Sequence, residues 1–175
     1  GTDALMLSEE TSAGRYPQDA VKVMDRIIAY TEDNLSGLPP SFADSYGRAG
    51  DNGEHSSYAI AKAASEAAKA VHAKAIAVFT MTGYTARLVS KCRPESPVVA
   101  FSPDEQVVRR MNLFWGVKPF RMKEVRRTDV LIRRMEARLI DLRIAAPGDA
   151  VVITAGLPSS EEGATNFLKV HILGT

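Results

Sequence analysis

Residues 75–92 read AIAVFTMTGYTARLVSKC. The run Ala75–Thr80 is apolar without alternation, as in a strand covered on both faces of a sheet. Gly83 breaks the run, and Gly83–Cys92 then returns apolar residues at helical spacing. A buried strand, a tight turn and a helix in succession open a β–α unit of a parallel sheet. Working outward, PVVAF (Pro97–Phe101), GVKPF (Gly116–Phe120), AVVITA (Ala150–Ala155) and LKVHIL (Leu168–Leu173) repeat the strand pattern. Helices are expected at Ala59–Val71, with Ala64, Ala67, Ala68 and Val71 on one face, and at Pro103–Met111. A third is expected at Thr128–Arg143, with Val130, Ile132, Met135, Leu139 and Ile140 inward. Only a loop, Gly156–Phe167, separates the last two strands, so that pair is expected to be antiparallel. The fold class is therefore α/β: a three-layer sandwich on a five-stranded, mostly parallel sheet whose last strand is antiparallel.

Upstream, SGLPPSFADSYGRAGDNGEH (Ser36–His55) is rich in Gly, Pro, Ser and Asp. A stretch of that length and composition reads as a linker, placed at residues 36–54, with the sheet domain at 55–175. Before it, Gly1–Leu7 reads as a short buried strand and Ser8-Glu9-Glu10-Thr11 as the turn leaving it. Pro17 suits the first position of a helix, and Ala20, Met24, Ile27 and Ile28 form its apolar stripe to about Tyr30.

Composition narrows the function classes. Net charge is +1, from 22 basic and 21 acidic residues, so bulk electrostatics favour neither nucleic acid nor an anionic membrane as partner. The chain has 1 cysteine, Cys92, which rules out an internal disulfide and suits a reducing cytoplasm. No apolar run reaches the roughly 18 residues that span a bilayer.

Two loops attract attention as chemistry. TMTGYT (Thr80–Thr85) follows a buried strand, opens a helix and clusters three threonines around Gly83. Helix N-termini favour phosphate or carboxylate, and hydroxyls add donors without bulk. Capping of the helix by Thr82 or Thr85 accounts for the same pattern. GLPSSEEGATN (Gly156–Asn166) leaves the same edge of the sheet, where ligands collect between neighbouring loops. It reads equally as a plain hairpin turn, and Glu161 and Glu162 would repel an anion unless they point away or meet sugar hydroxyls. His55, His72 and His171 are far apart, with structural roles expected for the last two. Trp115 is expected in the core, and Lys123–Arg127 with Arg133-Arg134 on a solvated face.

The blocks GTDALMLSEETSAGRYPQDAV, AKAIAVFTMTGYTARLVSKCRP, NLFWGV and GDAVVITAGLP…GATNFLKVHILG, in this order, resemble the end of the catalytic barrel and the C-terminal domain of pyruvate kinases. The resemblance implies that residues 1–35 are the last strand and helix of a (β/α)8 barrel. It implies an enzyme of glycolysis that moves a phosphoryl group between phosphoenolpyruvate and ADP with Mg2+ and K+. Most of those catalytic residues would lie upstream, so the chain alone is expected to be inactive, to bind no metal and to supply the effector and subunit-contact domain. Ser8 and Glu10 match the family's Ser and Glu at the mouth of the active site. Glu9 replaces its glycine, which would strain the turn by about 1 kcal/mol if that glycine has positive φ. The effector phosphate would be gripped by Thr80, Met81, Thr82, Gly83, Tyr84 and Thr85, with Gly156, Glu162, Gly163 and Thr165 closing over the sugar. The family's Trp and Arg for a second phosphate fall near Glu124 and Leu131, which favours AMP or a sugar monophosphate over fructose 1,6-bisphosphate. The family further implies homo-oligomers, contacting through this domain, in the cytoplasm. Two other readings stay open, an autonomous sugar-phosphate or nucleotide sensor and a pure assembly module; the barrel-like first block speaks for an enzyme.

Overall fold

The computed structural model describes residues 2–34, 52–125, 127–156 and 165–175. The chain divides into two compact units, Gly1–Ser41 and Phe42–Thr175.

In the first unit, helix α1 spans Glu9–Ser12 and α2 spans Pro17–Asn34. The expected strand at Gly1–Leu7 does not form: residues 2–8 carry no strand, and Leu5 and Met6 are exposed. A strand needs a neighbour to take its ladder hydrogen bonds, and this segment has none among the described residues. The expected turn at Ser8–Thr11 closes instead into the single turn of α1, with the Ser12 N–H bonded to the Ser8 carbonyl at 3.1 Å. Glu9 is unstrained there, because positive φ outside glycine occurs, among the described residues, at His72, Arg93 and Arg143. Helix α2 begins at Pro17 as its fixed φ favours. None of its residues is fully buried, and Ile27, expected on the inner stripe, is 60% exposed.

The second unit holds helices α3 (Asn52–Ala70), α4 (Tyr84–Lys91), α5 (Glu105–Met111) and α6 (Thr128–Asp141). Its strands are β1 (Ile76–Phe79), β2 (Val98–Ser102), β3 (Val117–Arg121), β4 (Ala150–Ala155) and β5 (Phe167–Ile172). Helix α3 takes in residues 52–54 of the expected linker; residues 36–51 lie outside those described. The sheet order is β3-β2-β1-β4-β5, parallel throughout except for β5, which runs antiparallel to β4. The mostly parallel sheet with an antiparallel last strand is thus as the sequence led us to expect.

Alternation along β1 assigns its residues to two cores. Ile76 and Val78 pack with Ala61, Ala64 and Ala68 of α3, Leu88 and Val89 of α4 and Met111 of α5. Ala77 and Phe79 pack on the opposite face with Leu131, Met135 and Leu139 of α6. A strand buried on both faces has no polar side, which is why its sequence does not alternate. Two helix faces differ from expectation by one position: Val71 is exposed, and Leu131 rather than Val130 enters the core. Trp115 is in neither core; it is half-buried, and the Arg93 guanidinium lies 4.5 Å from its ring centroid.

Candidate anion site at the sheet switch point

The chain leaves β1 toward β2 on one side and later returns to β4 on the other. The carboxyl ends of β1 and β4 therefore flank the point where the winding reverses, the place where open α/β sheets form a ligand crevice. The loop Thr80–Gly83 leaves the first and Gly156 the second.

The loop is shaped by its own hydroxyls. Thr80 is buried, and its Oγ1 accepts the Gly83 N–H at 3.0 Å. The exposed Thr82 accepts the Tyr84 N–H through Oγ1 at 3.4 Å. The N-cap itself is Gly83, which has no side chain, so the hydroxyls that bond the main chain entering the helix are those of Thr80 and Thr82 rather than Thr85. Gly83 has φ +84°, a left-handed conformation that costs a side chain about 1 kcal/mol, although a Cβ there would meet Met111 and Val107 only at ordinary contact distance, 3.4 Å. The bend sets the start of α4 at this edge of the sheet, where a helix dipole favours an anion. Met81 stands half-exposed at the loop's tip.

Thr85, in the first turn of α4, is buried. Its Oγ1 lies 2.6 Å from Thr165 Oγ1, and the Thr165 N–H donates to Ser57 Oγ at 2.9 Å. Thr85, Thr165 and Ser57 are 4%, 0% and 1% exposed, so this three-residue chain lies beneath the loop. It joins the start of α4, the return into β5 and the first turns of α3. Two cations flank it. Arg110 of α5 donates through Nη2 to the Thr82 carbonyl. Arg87 of α4 lies over the Tyr84 ring at 5.7 Å, and its buried Nε has no hydrogen-bond partner among the described residues.

Thr80, Met81, Thr82, Gly83, Tyr84, Thr85 and Thr165 thus gather around one edge of the sheet, with Gly156 at the exit of β4. Glu162 and Gly163 lie outside the described residues. Ser8 and Glu10 belong to the first unit. There the Glu10 carboxylate accepts the Ser8 N–H at 3.0 Å, and main-chain N–H groups hold its pKa below the ordinary value. Ser57, Arg87 and Arg110 were not anticipated. Ser57 had a signal: it sits in register with Ala61, Ala64 and Ala68, a polar residue on an otherwise apolar stripe. The arginines had none, because each is an ordinary basic residue until α4 sets Arg87 over Tyr84 and α5 brings Arg110 to the loop.

Elsewhere the titratable groups serve structure. His171 Nε2 and Glu136 Oε2 are 2.8 Å apart, and Glu136 Oε1 accepts the Gly174 N–H at 2.7 Å. The half-buried Cys92 thiol has its pKa pushed up by desolvation. Arg127 and Arg133 are exposed and pair with Asp129, whose pKa they lower. Among the described residues no three His, Cys, Asp or Glu side chains converge to hold a metal ion, and no helix is long and apolar enough to cross a membrane.

Comparison with known proteins assigns these features to a lineage. Residues 58–171 match the family model described as pyruvate kinase, alpha/beta domain. The chain is 37% identical over 170 residues to a pyruvate kinase of Agrobacterium vitis, covering 97% of this chain and 34% of that protein. It is 37% identical over 174 residues to one of Staphylococcus aureus strain USA300, covering 99% of this chain and 29% of that protein. The structure of a Cryptosporidium parvum pyruvate kinase in complex with ADP superposes with a TM-score of 0.72 at 32% identity, covering 96% of this chain and 33% of that one. A second structure of a pyruvate kinase from that organism gives a TM-score of 0.77 at 30% identity, covering 96% of this chain and 32% of that one. The chain spans about a third of the length of these relatives. It belongs to the pyruvate kinase family, and its second unit has the fold of that family's alpha/beta domain.

Proposed function

We propose that the chain supplies the effector-binding and subunit-contact part of a cytoplasmic pyruvate kinase. The whole enzyme would transfer a phosphoryl group between phosphoenolpyruvate and ADP. The observation that carries this reading is the match along nearly the entire chain to a third of each relative. The first unit supports it: α2 leaves Val21, Ile27 and Tyr30 exposed, as a barrel helix would without its barrel. A closed barrel needs eight strands and the first unit has none among its described residues, so we expect no turnover from this chain alone. The whole enzyme would use Mg2+ and K+.

The phosphate of an effector would sit before α4, against the main chain of Gly83 and Tyr84, with Thr82 and Thr85 as hydroxyl donors and Arg110 and Arg87 as nearby cations. A monophosphate such as AMP or a sugar phosphate fits better than a bisphosphate. Leu131 is core, at 3% exposure, and Glu124 is an exposed acid, so neither offers a second anion a donor. The family's homo-oligomeric contact through this domain completes the proposal.

Thermal melts with AMP, ribose 5-phosphate, glucose 6-phosphate and fructose 1,6-bisphosphate test the site. A saturable rise in Tm with a monophosphate, abolished in Thr85→Val, is the expected result; no rise with any of them would leave the domain as an assembly module. A coupled assay showing turnover from phosphoenolpyruvate and ADP would refute the expected inactivity. Light scattering on the eluting peak reads the oligomer, and a strict monomer counts against the subunit contact.

A further inference from the structure

The chain enters α4 through the peptide that joins Thr82 to Gly83. In a trans peptide the C=O and the next N–H lie in one plane and point in opposite directions. Both edges of this peptide are held. On the buried side Thr80 Oγ1 accepts the Gly83 N–H at 3.0 Å. On the exposed side Arg110 Nη2 donates to the Thr82 carbonyl. Arg110 is 28 residues away and comes from α5, so the second hold is a tertiary one.

The hold matters because of the residue it acts on. Rotating this peptide changes ψ of Thr82 and φ of Gly83, and glycine, without a Cβ, opposes neither sign of φ. Left unheld, the peptide would sample both orientations, and a ligand binding before α4 would have to order it at a cost in affinity. The packing of α5 places Arg110 for this task. Met111 and Val107 of α5 are buried, and they are the two side chains nearest the point where a Gly83 Cβ would stand. The Asp104 side chain caps α5 by accepting the Gln106 N–H at 2.7 Å. The helix that carries Arg110 is therefore fixed against the glycine whose peptide Arg110 holds. The guanidinium also covers an exposed carbonyl with positive charge, where a bare oxygen would repel an anion nearby. Arg109, one residue earlier, pairs along its own helix with Glu105 at 3.5 Å.

We infer that Arg110 is a positioning residue of the anion site: with Thr80 it clamps the Thr82–Gly83 peptide from both edges, so that the start of α4 is set before a phosphate binds. This rests on the anion-site reading above and gives Arg110 a task beyond its charge, one that Arg109 does not share.

The test uses two readouts on the full 175-residue chain: hydrogen exchange of the Gly83 amide without ligand, and titration with inorganic phosphate followed at the amides of Gly83, Tyr84 and Thr85. Arg110 is exposed, so replacing it leaves both cores intact. Losing one hydrogen bond changes an equilibrium by roughly three- to tenfold. Arg110→Met is therefore expected to speed Gly83 exchange by about that factor and to weaken phosphate by a similar one. Arg110→Lys, which keeps the charge and a donor for the carbonyl, is expected to recover most of both losses. Arg109→Met removes the same charge from the same helix. It is expected to leave Gly83 exchange unchanged and to weaken phosphate far less, because salt screens an exposed charge that touches nothing at the site. Unchanged Gly83 exchange in Arg110→Met overturns the inference and leaves the anion site standing. Faster exchange with phosphate binding unchanged overturns it too, since the clamp would then serve the fold alone. Equal weakening of phosphate by Arg109→Met and Arg110→Met also overturns it, by reducing Arg110 to its charge. No saturable phosphate response in the unaltered chain overturns both the inference and the anion site.

Discussion

Helices α2 and α6 are both amphipathic, at 18 and 14 residues, yet they end in opposite circumstances. Helix α6 sinks Leu131, Met135 and Leu139 into the core against β1 and β4. Helix α2 buries none of its residues, and Val21, Ile27 and Tyr30 are each more than half exposed. An apolar stripe states that a helix expects a partner, not that the partner is in the same stretch of chain. Most helical stability comes from packing such a stripe. The second unit therefore carries its own cores, and the first depends on surfaces it does not bring.

The largest expected effect tests that contrast directly. Leu139→Ala removes a fully buried side chain and leaves a cavity, at a cost of about 3 kcal/mol. Ile27→Ala removes an exposed one and should change stability by less than about 0.5 kcal/mol. Urea unfolding of both variants decides it. Comparable losses would show that the face of α2 is covered after all.

The same contrast sets how much was legible in the sequence. The second unit's strands are continuous apolar runs with helices between them, and all five were placed within about two residues, the usual uncertainty of an element's end. The antiparallel β5 followed from the absence of room for a crossover helix. The segment Gly1–Leu7 failed for the complementary reason. A run of apolar residues is compatible with a strand, but a strand exists only where a neighbour supplies its hydrogen bonds. The loop at Thr80–Thr85 was legible as a helix start, whereas the division of labour within it was not. Which threonine is tied inward depends on Thr165, 80 residues from Thr85, and on Ser57, itself 108 residues from Thr165. Single-sequence patterns carry no information at that range.

A smaller effect concerns the seam where β5 and the C-terminus meet α6. The Glu136 side chain, 18% exposed, bonds His171 Nε2 and the Gly174 N–H. The His171 hydrogen bond is the largest cause holding its carboxyl below the ordinary value of 4.5, and the Gly174 N–H adds to it. A carboxylate whose folded pKa is depressed contributes stability that is fully present above its unfolded pKa. That contribution is lost as pH falls from about 4.5 through the lowered folded value. Glu136→Gln should cost about 1 to 2 kcal/mol at neutral pH and flatten the acid limb of the stability curve. Denaturation at stepped pH checks both. An unchanged acid limb would assign the acid sensitivity to other carboxylates.

The smallest effect lies at the end of α3, where two rules of chain geometry conflict. The Ala73 N–H reaches back to the Ala68 carbonyl at 2.9 Å and the His72 N–H to Lys69 at 3.3 Å, the bonds that close a helix with a left-handed residue. That residue is His72, at φ +50°, where glycine is the usual occupant. A Cβ in this conformation costs about 1 kcal/mol. His72 is exposed, so its ring forfeits little by leaving. His72→Gly should therefore stabilise the second unit by about 0.5 kcal/mol, less than the full strain, because glycine also frees the unfolded chain. A Tm rise of about 1 to 2 °C in the melt is the expected reading. A fall instead would mean that the imidazole makes a contact worth more than the strain it causes. Arg93 and Arg143 end α4 and α6 with the same φ sign, but Arg93 stacks on Trp115, so its replacement by glycine should lose what the relaxed backbone gains.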